Sequence, residues 1–176
     1  GRSTLAIEAP AYPLVIGNNE CAGAGGGIQC LNNSTVTVAG AVVFTSNTAW
    51  RGGALFASNH CVVTLVPTNG LAPRFVGNSA RDDGGAVMLM SSSQVTAVNC
   101  AFMGNAATND GGALNITQSK AYIFGDFSQP VTTPPCVFMA NTAMRGGACY
   151  GDSALLSLQD ALIASNRAVW RGGGIR

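Results

Sequence analysis

The residues best suited to chemistry in this sequence are three aspartates near paired glycines. Asp82 and Asp83 are adjacent, and Asp83 and Asp110 each directly precede a Gly-Gly pair. If the fold brought them together, these carboxylates could bind Ca²⁺ or supply the acid and base for cleavage of a glycosidic bond. Arg51 and Arg145 occupy the same position before other Gly-Gly pairs. The competing interpretation is therefore surface ion pairing, with Arg51 against Asp83 and Asp110 against Arg145.

The cysteines favour cross-links or buried thiols over a metal site. The chain has six cysteines but no CxxC pair, so a zinc site is not predicted. Cys100 and Cys136 each stand two residues before a Phe of the same local motif, which predicts neighbouring positions and a disulfide. Cys21 and Cys30 flank a glycine-rich turn and form a second candidate bridge, whereas Cys149 is expected to be a buried thiol.

Asparagines in N-glycosylation sequons occur at two places. Asn32 and Asn33 lie in "NNST", and Asn115 lies in "NIT". All three are candidate glycosylation sites, and their presence suits a secreted protein.

Composition narrows the classes of partner. With 176 residues, of which 47% are hydrophobic, the chain is long enough for one domain with a substantial core. Only 10% of residues are charged and the net charge is +1, so no nucleic acid partner is implied. No apolar run approaches the ~18 residues of a transmembrane segment. No motif implies a cofactor.

One corner motif occurs six times along the chain. Each copy has a large apolar residue three positions before an asparagine, a small residue two positions after it, and then a Gly-Gly pair. Such self-similarity indicates a repeat architecture. The six asparagines are Asn19, Asn47, Asn78, Asn105, Asn141 and Asn166.

Between the corners the sequence alternates with period two, as in "TVTV", "VVTL", "QVTA" and "AYIF". This alternation predicts strands with one buried face, and no segment shows helical periodicity. Counted from the glycine pairs, equivalent positions fall into two predicted columns. The inward column is Val36, Val63, Val95 and Tyr122, and the outward column is Thr37, Thr64, Thr96 and Ile123.

Repeats of this length predict an all-β parallel β-helix whose coils stack ~4.8 Å apart. About five coils are expected over residues 16–176, with residues 1–15 as a leading or capping segment. In such a stack the asparagine amides would hydrogen-bond from coil to coil as a structural ladder, and asparagine tolerates a left-handed backbone. The glycine pairs would supply positive φ at the turns.

The combination of "FxxN" with a downstream "GGA" and an apolar residue resembles the repeats of the chlamydial polymorphic membrane proteins, over residues 16–175. Two copies depart from the pattern, with Ile16 or Ile163 in place of Phe and "GGGI" in place of "GGA". The resemblance implies a right-handed parallel β-helix in a surface-exposed, adhesin-like region. The full motif pairs are Phe44 with Asn47, Phe75 with Asn78, Phe102 with Asn105, and Phe138 with Asn141.

Two insertions between repeats are candidate partner-binding loops, at residues 66–74 and 125–135. Insertions in repeat proteins map to one face and often carry binding. Their candidate contact residues are Pro67, Asn69, Phe127, Pro130 and Pro134.

The function expected from these features is a non-enzymatic extracellular scaffold or adhesin module of a cell-surface or secreted protein. Its expected partners are other protein chains or surface glycans, and end-to-end self-assembly could make it a filament subunit. The alternative is a carbohydrate-active, pectin lyase-like β-helix enzyme or a glycan-binding module, which would need converging carboxylates or a binding groove.

Overall fold

The structure is a computed structural model that describes residues 1–125 and 135–176. Over those residues the chain forms 21 strands joined by turns and no helix, so no helix is available to span a membrane. In chain order the strands are β1 (Thr4–Gly17), β2 (Glu20–Ala24), β3 (Ile28–Leu31), β4 (Thr35–Thr45), β5 (Thr48–Arg51), β6 (Leu55–Ser58), β7 (Val62–Val66), β8 (Arg74–Val76), β9 (Ser79–Ala80), β10 (Val87–Met90), β11 (Gln94–Val98), β12 (Ala101–Met103), β13 (Ala106–Ala107), β14 (Leu114–Thr117), β15 (Lys120–Phe124), β16 (Cys136–Met139), β17 (Thr142–Arg145), β18 (Cys149–Asp152), β19 (Leu155–Gln159), β20 (Ala161–Ala164) and β21 (Arg167–Arg171).

The strands form parallel sheets in which each strand pairs with its equivalents one coil before and one coil after. Sheet B has the order β2-β5-β9-β13-β17-β21, and sheet C has the order β3-β6-β10-β14-β18. Sheet A has the order β19-β15-β11-β7-β4-β8-β12-β16-β20, with β1 paired to β4. It bends into two arms because β4 pairs with β7 through its first half and with β8 through its second half. The predicted parallel β-helix is confirmed, with about six turns where about five were expected.

The leading segment is itself a rung of this stack. In β1, Thr4 pairs with Thr35 and Gly17 pairs with Thr45, so both arms of sheet A begin with β1. A bulge between Ala9 and Leu14 interrupts the pairing at the bend between the arms. The segment lacks the corner motif, and its place in the stack therefore has no sequence signal.

The side-chain columns follow the prediction in the first coils and depart from it in a later one. Val36, Val63 and Val95 stack in register and are buried. Thr96, however, pairs with Tyr122, which places Tyr122 in the outward column and the buried Ile123 in the core. The predicted assignment of these two residues was wrong because the turn before β15 is one residue shorter than the turn before β11.

The core is held in vertical order by a stack of phenylalanine rings. Successive ring centroids are 4.6, 4.9 and 4.7 Å apart, with interplanar angles of 3°, 10° and 6°. These rings are Phe44, Phe75, Phe102 and Phe138. Ile16 continues the column above Phe44 and Ile163 continues it below Phe138. The near-parallel stacking repeats the rung spacing of the strands, so the side chains reinforce the backbone register.

The two glycines of each corner serve different purposes. The first has a positive φ, such as 66° at Gly84, which L-residues adopt only at a cost. The second has no room for a side chain: a Cβ at Gly85 would overlap the carbonyl oxygen of Gly112 and the backbone of Ala106 in the next coil. The corner can therefore pass between neighbouring rungs only as bare backbone.

Candidate interaction site

The six asparagines of the motif lie in one column and form a continuous hydrogen-bonded ladder. Each of the first five asparagines donates from its backbone N–H and its side-chain Nδ2 to the Oδ1 of the next asparagine, at distances of 2.8–3.1 Å. From Asn47 onward, Nδ2 also donates to the carbonyl oxygen of the motif's Phe or Ile one coil earlier, as from Asn105 to Phe75 at 3.0 Å. The four inner asparagines are fully buried. All their polar side-chain atoms are thus satisfied inside the stack.

The left-handed backbone lies one residue earlier than the sequence suggested. Positive φ occurs at the residue directly before each ladder asparagine, for example 53° at Ser46 and 62° at Gly104. None of the six ladder asparagines has a positive φ. Their contribution is the side-chain amide, which donates to and accepts from the neighbouring coils.

A second polar ladder, which the sequence did not reveal, runs along the corner between sheets C and A. The Ser93 hydroxyl accepts the backbone N–H of Cys61 at 3.2 Å, and the Ser119 hydroxyl accepts that of Ser93 at 3.1 Å. Ser34 accepts the N–H of Ser3 in the same way at 3.2 Å. The signal is a serine or cysteine directly before the first sheet A strand of every coil except the last, where Ala154 precedes β19. These residue types are too common to indicate a ladder unless the register is known.

The carboxylates singled out by the sequence do converge, but they are matched with arginines. Arg145 forms an ion pair with Asp110, including an Nε–Oδ1 contact of 2.6 Å, as predicted. Arg51 contacts Asp82 at 2.8 Å, and not Asp83 as expected. The corner that contains Asp82 is one residue longer than the corner of Arg51, which moves Asp82 into the pairing position. Within the described residues, no set of His, Cys, Asp and Glu side chains is arranged to hold a metal ion.

Asp83 is the carboxylate of this group that titrates abnormally. Burial, followed by the nearby carboxylates of Asp82 and Asp110, raises its pKa to about 6 from an ordinary value of 3.8. The backbone N–H of Asp110 donates to its Oδ1 at 3.2 Å and opposes this shift. The arrangement gives the corner a protonation step near neutral pH.

The predicted bridge between Cys100 and Cys136 is not formed, although the two residues are neighbours in adjacent rungs. Both are free thiols, and the backbone N–H of Cys100 donates to Sγ of Cys136 at 3.1 Å. Each sulfur also contacts a backbone carbonyl, Cys100 that of Val98 and Cys136 that of Phe124, both at 3.4 Å. Burial raises the pKa of Cys100, and the hydrogen bond from its thiol lowers that of Cys136. These hydrogen bonds satisfy the thiols without a covalent link.

The predicted bridge between Cys21 and Cys30 is wrong for a topological reason. Cys21 pairs with Ala49 in sheet B, and Cys30 pairs with Ala57 in sheet C. The thiol that hydrogen-bonds with Cys30 is that of Cys61, and burial raises the pKa of Cys30 to about 12. Cys149 is fully buried, as expected, and burial raises its pKa as well.

The glycosylation candidates differ in accessibility. Asn32 and Asn33 are exposed in the corner before β4, although Oδ1 of Asn32 accepts from Nδ2 of Asn59 at 3.1 Å. Asn115 is only 1% exposed, and its side chain contacts Asp110 and Thr117. A glycan on Asn115 is incompatible with this packing, so the sequon there was a wrong candidate. Occupancy of Asn32 and Asn33 stays a prediction.

The candidate interaction site is the bend between the two arms of sheet A, which we call the loop edge. The chain crosses this bend once per coil, and the crossings alternate in length. Residues 10–13 and 67–73 make long crossings in the first and third coils, and in the fifth coil the described chain leaves this edge at Gly125 and is described again from Pro135. The second, fourth and sixth coils cross in one to three residues. A loop that leaves and returns needs the width of about two rungs, because neighbouring backbones lie ~4.8 Å apart. Alternation gives each long loop that width.

The loop of the third coil is a preformed hairpin. Thr68 and Leu71 exchange backbone hydrogen bonds of 2.7 and 3.0 Å across Asn69 and Gly70, whose φ values are 52° and 74°. Positive φ at both central residues defines a type I′ turn, which Asn-Gly favours. Nδ2 of Asn69 donates to the carbonyl oxygen of Pro10 at 3.2 Å and thereby ties the hairpin to the β1 bulge. The predicted contact residues Pro67 and Asn69 therefore belong to an ordered loop.

The loop edge also presents apolar side chains to solvent. Tyr12 in the β1 bulge is 84% exposed and Leu71 in the hairpin is 39% exposed. Tyr12 was not identified from the sequence because residues 1–15 carry no repeat motif. The candidates Phe127, Pro130 and Pro134 lie outside the described residues, but the described ends of their loop, Gly125 and Pro135, are at this same edge.

A shallow groove of about 550 Å³ lies at a different corner, between sheets C and A. Its lining includes Ser92, Gln94, Gln118, Lys120 and Ser153. In the described part of the chain this lining contains no carboxylate, and the aspartates lie at the Gly-Gly corner instead. The groove therefore offers hydrogen bonds to a polar ligand but not the paired acids of a glycosidase.

Together these features define a β-solenoid repeat protein whose ladders are internal and whose variable loops share one edge. A family model for the Chlamydia polymorphic membrane protein repeat matches residues 31–58. This segment runs from the end of β3 through the first complete corner motif to the end of β6. The resemblance found in the sequence is thereby confirmed, and the chain is a β-helix repeat protein similar to the polymorphic membrane proteins. No curated protein and no solved structure gives a significant match to the chain.

Proposed function

We propose that the protein is a non-enzymatic scaffold or adhesin module, displayed outside the cell or at its surface, which presents the loop edge to a protein or glycan partner. The observation that carries the proposal is the alternation of long and short crossings along one edge of a regular stack. The repeat family, named for membrane proteins, supports a surface setting.

The geometry favours this function over catalysis. Asp82 and Asp110 are neutralised by arginines, so the acidic group is built like a structural ion-pair network. The groove and the carboxylates are at separate corners. In contrast, the loop edge combines an ordered hairpin with exposed Tyr12 and Leu71, and exposed aromatic and apolar groups on a rigid support suit binding.

The test compares binding before and after removal of the exposed apolar groups at the loop edge. The purified 176-residue protein, labelled with a fluorophore, would be applied to a glycan array and to cultured epithelial cells. We expect Tyr12→Ser with Leu71→Ser to lower binding at least about tenfold, since such groups typically dominate binding energy. The matched control is Val62→Ser, which removes an apolar side chain of similar exposure, 41%, from the open face of β7.

The opposite pattern would contradict the proposal. Binding that survives at the double variant but is lost on Lys120→Ala would assign recognition to the groove, as in a glycan-binding module. Release of reducing or unsaturated sugar ends from pectic or other polysaccharides, abolished by Asp83→Asn, would establish the carbohydrate-active enzyme instead.

A further inference from the structure

The groove at the corner between sheets C and A is produced by a change in turn length. Three residues, 91–93, join β10 to β11, whereas two residues join β14 to β15 and two join β18 to β19. The strands on both sides of this corner stay in register, so the longer turn projects beyond the shorter turns that follow it. The projecting residue is Ser92, whose backbone N–H donates to the carbonyl oxygen of Gln118 at 2.8 Å. The recess beside Ser92 is the groove of about 550 Å³.

The polar side chains of this groove are available to a ligand. Its lining includes Ser92, Gln94, Gln118 and Lys120. In the described part of the chain none of these four side chains forms an ion pair or a hydrogen bond with another residue. The two coils that carry them lie inside the stack, since β11 lies between β7 and β15, and β15 lies between β11 and β19. These side chains are therefore solvated, and they can exchange water for the polar groups of a ligand.

The lining matches the hydrogen-bonding chemistry of a sugar. A glutamine amide presents a donor and an acceptor side by side, and a serine hydroxyl both donates and accepts. Each hydroxyl group of a sugar has the same dual capacity. The groove crosses three neighbouring coils, a span of ~10 Å, which suits a short oligosaccharide lying across the strands.

Other classes of ligand fit this lining less well. A metal ion would need carboxylate, thiolate or imidazole ligands, and the described lining contains none of them. A nucleic acid would need several cations, whereas Lys120 is the one cation of the described lining. A peptide strand would need a free sheet edge, but β10, β11, β14 and β15 are each paired on both sides.

Lys120 indicates the charge of the ligand. Its side chain is exposed, and neither the groove nor the ion pairs of the described residues supply a carboxylate for its ammonium group. Its neighbours in the same column, Gln94 and Leu155, are uncharged. An anionic group on the sugar would form a charge-assisted hydrogen bond with this lysine.

An aromatic side chain extends the surface beside the groove. Tyr122 follows Lys120 by two residues on the outward face of β15, and its neighbours in the column are Thr96 and Ser157. Side chains two residues apart on a strand are separated by ~7 Å, so both can contact adjacent rings of one oligosaccharide. The tyrosine ring has an apolar face and a polar tip, which suits stacking against a sugar ring.

We propose that this groove binds an acidic oligosaccharide. Lys120 binds the carboxylate or sulfate of one sugar, Gln94 and Gln118 bind hydroxyl groups, and Tyr122 stacks against the next sugar ring. The inference goes beyond the proposed function, because the groove and the loop edge lie at different corners of the coil. A shallow site with one cation is expected to have a dissociation constant of roughly 1 mM. Binding this weak does not retain labelled protein on a washed array or cell, so the two sites are tested separately.

The experiment is a titration of the isotope-labelled 176-residue protein, followed by two-dimensional NMR. The probes are a galacturonic acid trimer, a sulfated galactan oligosaccharide without carboxylates, and uncharged galactotriose. We expect the acidic probes to shift the signals of Gln94, Gln118 and Lys120 saturably, and galactotriose to bind at least about fivefold more weakly. If one acidic probe binds and the other does not, the result identifies the anionic group as carboxylate or sulfate. Added salt should weaken the binding of an acidic probe, because the lysine is exposed.

Variants test the roles of the charge and of the aromatic ring. Lys120→Gln should weaken binding of the acidic probes at least about fivefold, because it removes the cation but keeps a polar side chain. The matched control, Arg167→Gln, removes an exposed cation from sheet B and should bind like the parent protein. Tyr122→Thr, which installs the residue that Thr64 and Thr96 supply in the same column, should weaken binding at least about threefold.

Three results would overturn the proposal. These are the absence of saturable shifts at the groove with both acidic probes, equal binding of galactotriose, or equal effects of Lys120→Gln and Arg167→Gln. An unchanged affinity in Tyr122→Thr would remove the tyrosine from the site. The NMR spectrum of each variant shows whether its fold is intact, so that loss of binding is not confused with unfolding.

Discussion

At the scale of single residues, the asparagine ladder shows why one side chain type recurs at every coil. Oδ1 of Asn105 accepts two hydrogen bonds from Asn78, and its Nδ2 donates both to Asn141 and to the carbonyl of Phe75. A carboxylate could accept in this way but could not donate, and an aliphatic side chain could do neither. An amide is the group that meets both requirements without a buried charge.

Asn105→Ala should therefore destabilise the protein by about 3 kcal/mol or more, since it leaves several buried polar groups without partners. Chemical denaturation followed by circular dichroism measures the free energy of unfolding. The control is Asn19→Ala at the open end of the ladder, which loses one side-chain bond to Asn47 and should cost about 1 kcal/mol. Equal losses at the two positions would show that burial of the ladder is not the source of its stability.

The raised pKa of Asp83 predicts how stability depends on pH. The folded protein holds a proton on Asp83 up to about pH 6, whereas the unfolded chain releases it near 3.8. The folded state therefore binds more protons between these values, and stability falls as the pH rises through this window. Above about pH 6 the ionised carboxylate destabilises the corner fully.

Asp83→Asn should remove this penalty while keeping an acceptor for the N–H of Asp110. The variant should be more stable than the parent at pH 7–8, and the difference should vanish towards pH 4. Denaturation curves at several pH values test this expectation, with the exposed Asp160→Asn as the control. A stability difference that does not change with pH would exclude Asp83 as the titrating group.

At the scale of elements, each corner is built from two glycines with separate constraints. The second glycine is restricted by the backbone of the next rung, which cannot move away without opening the sheet. Positions of positive φ that have open space around the Cβ accept residues other than glycine more readily. Gly77 has nothing near its missing Cβ, and the equivalent residues in other coils include Ser46 and Ala140.

Gly85→Ala should therefore cost about 3 kcal/mol, because the added methyl group overlaps backbone atoms of Gly112 and Ala106. Gly77→Ala should cost only about 1 kcal/mol, the price of a left-handed alanine. Thermal melting of both variants gives the comparison. Similar melting temperatures would mean that the rungs can separate locally at the corner.

How far the sequence predicts the structure depends on how strictly each element keeps the repeat. The asparagine column, the glycine pairs and the first strands of sheet A were predictable because their spacing is fixed by the motif. Tyr122 and Arg51 were misassigned because single-residue changes in turn length shift the register, and side-chain type alone does not reveal such a shift. Tyr12 was missed because β1 has no motif, although its pairing with β4 is complete on both arms.

At the scale of the whole molecule, contacts run mainly between neighbouring coils. Stability in such a stack is approximately a sum over coils and the interfaces between them. One internal coil can therefore be removed as a unit, because it begins and ends at consecutive asparagines of the ladder. Asn47 and Asn78 mark one such unit, 31 residues apart.

Deletion of residues 48–78 should give a shorter protein that still folds, because Asn47 would then donate to Asn105 and Phe44 would stack on Phe102. This coil carries the hairpin, so its removal does not bring two long crossings into neighbouring coils. The expected readouts are an unchanged circular dichroism spectrum and cooperative unfolding at a lower temperature. Deletion of residues 86–98, which removes part of a coil, is the control and should abolish folding. If both deletions unfold the chain, the coils are not interchangeable units.

The direction of the ladder bonds has a consequence for the polarity of the molecule. Each of the four inner asparagines donates to the asparagine of the coil that follows it and accepts from the asparagine of the coil before. Amide dipoles with a common direction add, and chains of such bonds polarise one another. The solenoid therefore has an electrostatic axis, with partial negative charge near Asn19 and partial positive charge near Asn166. Two such axes attract when they are aligned head to tail, and they repel when they are aligned head to head or tail to tail.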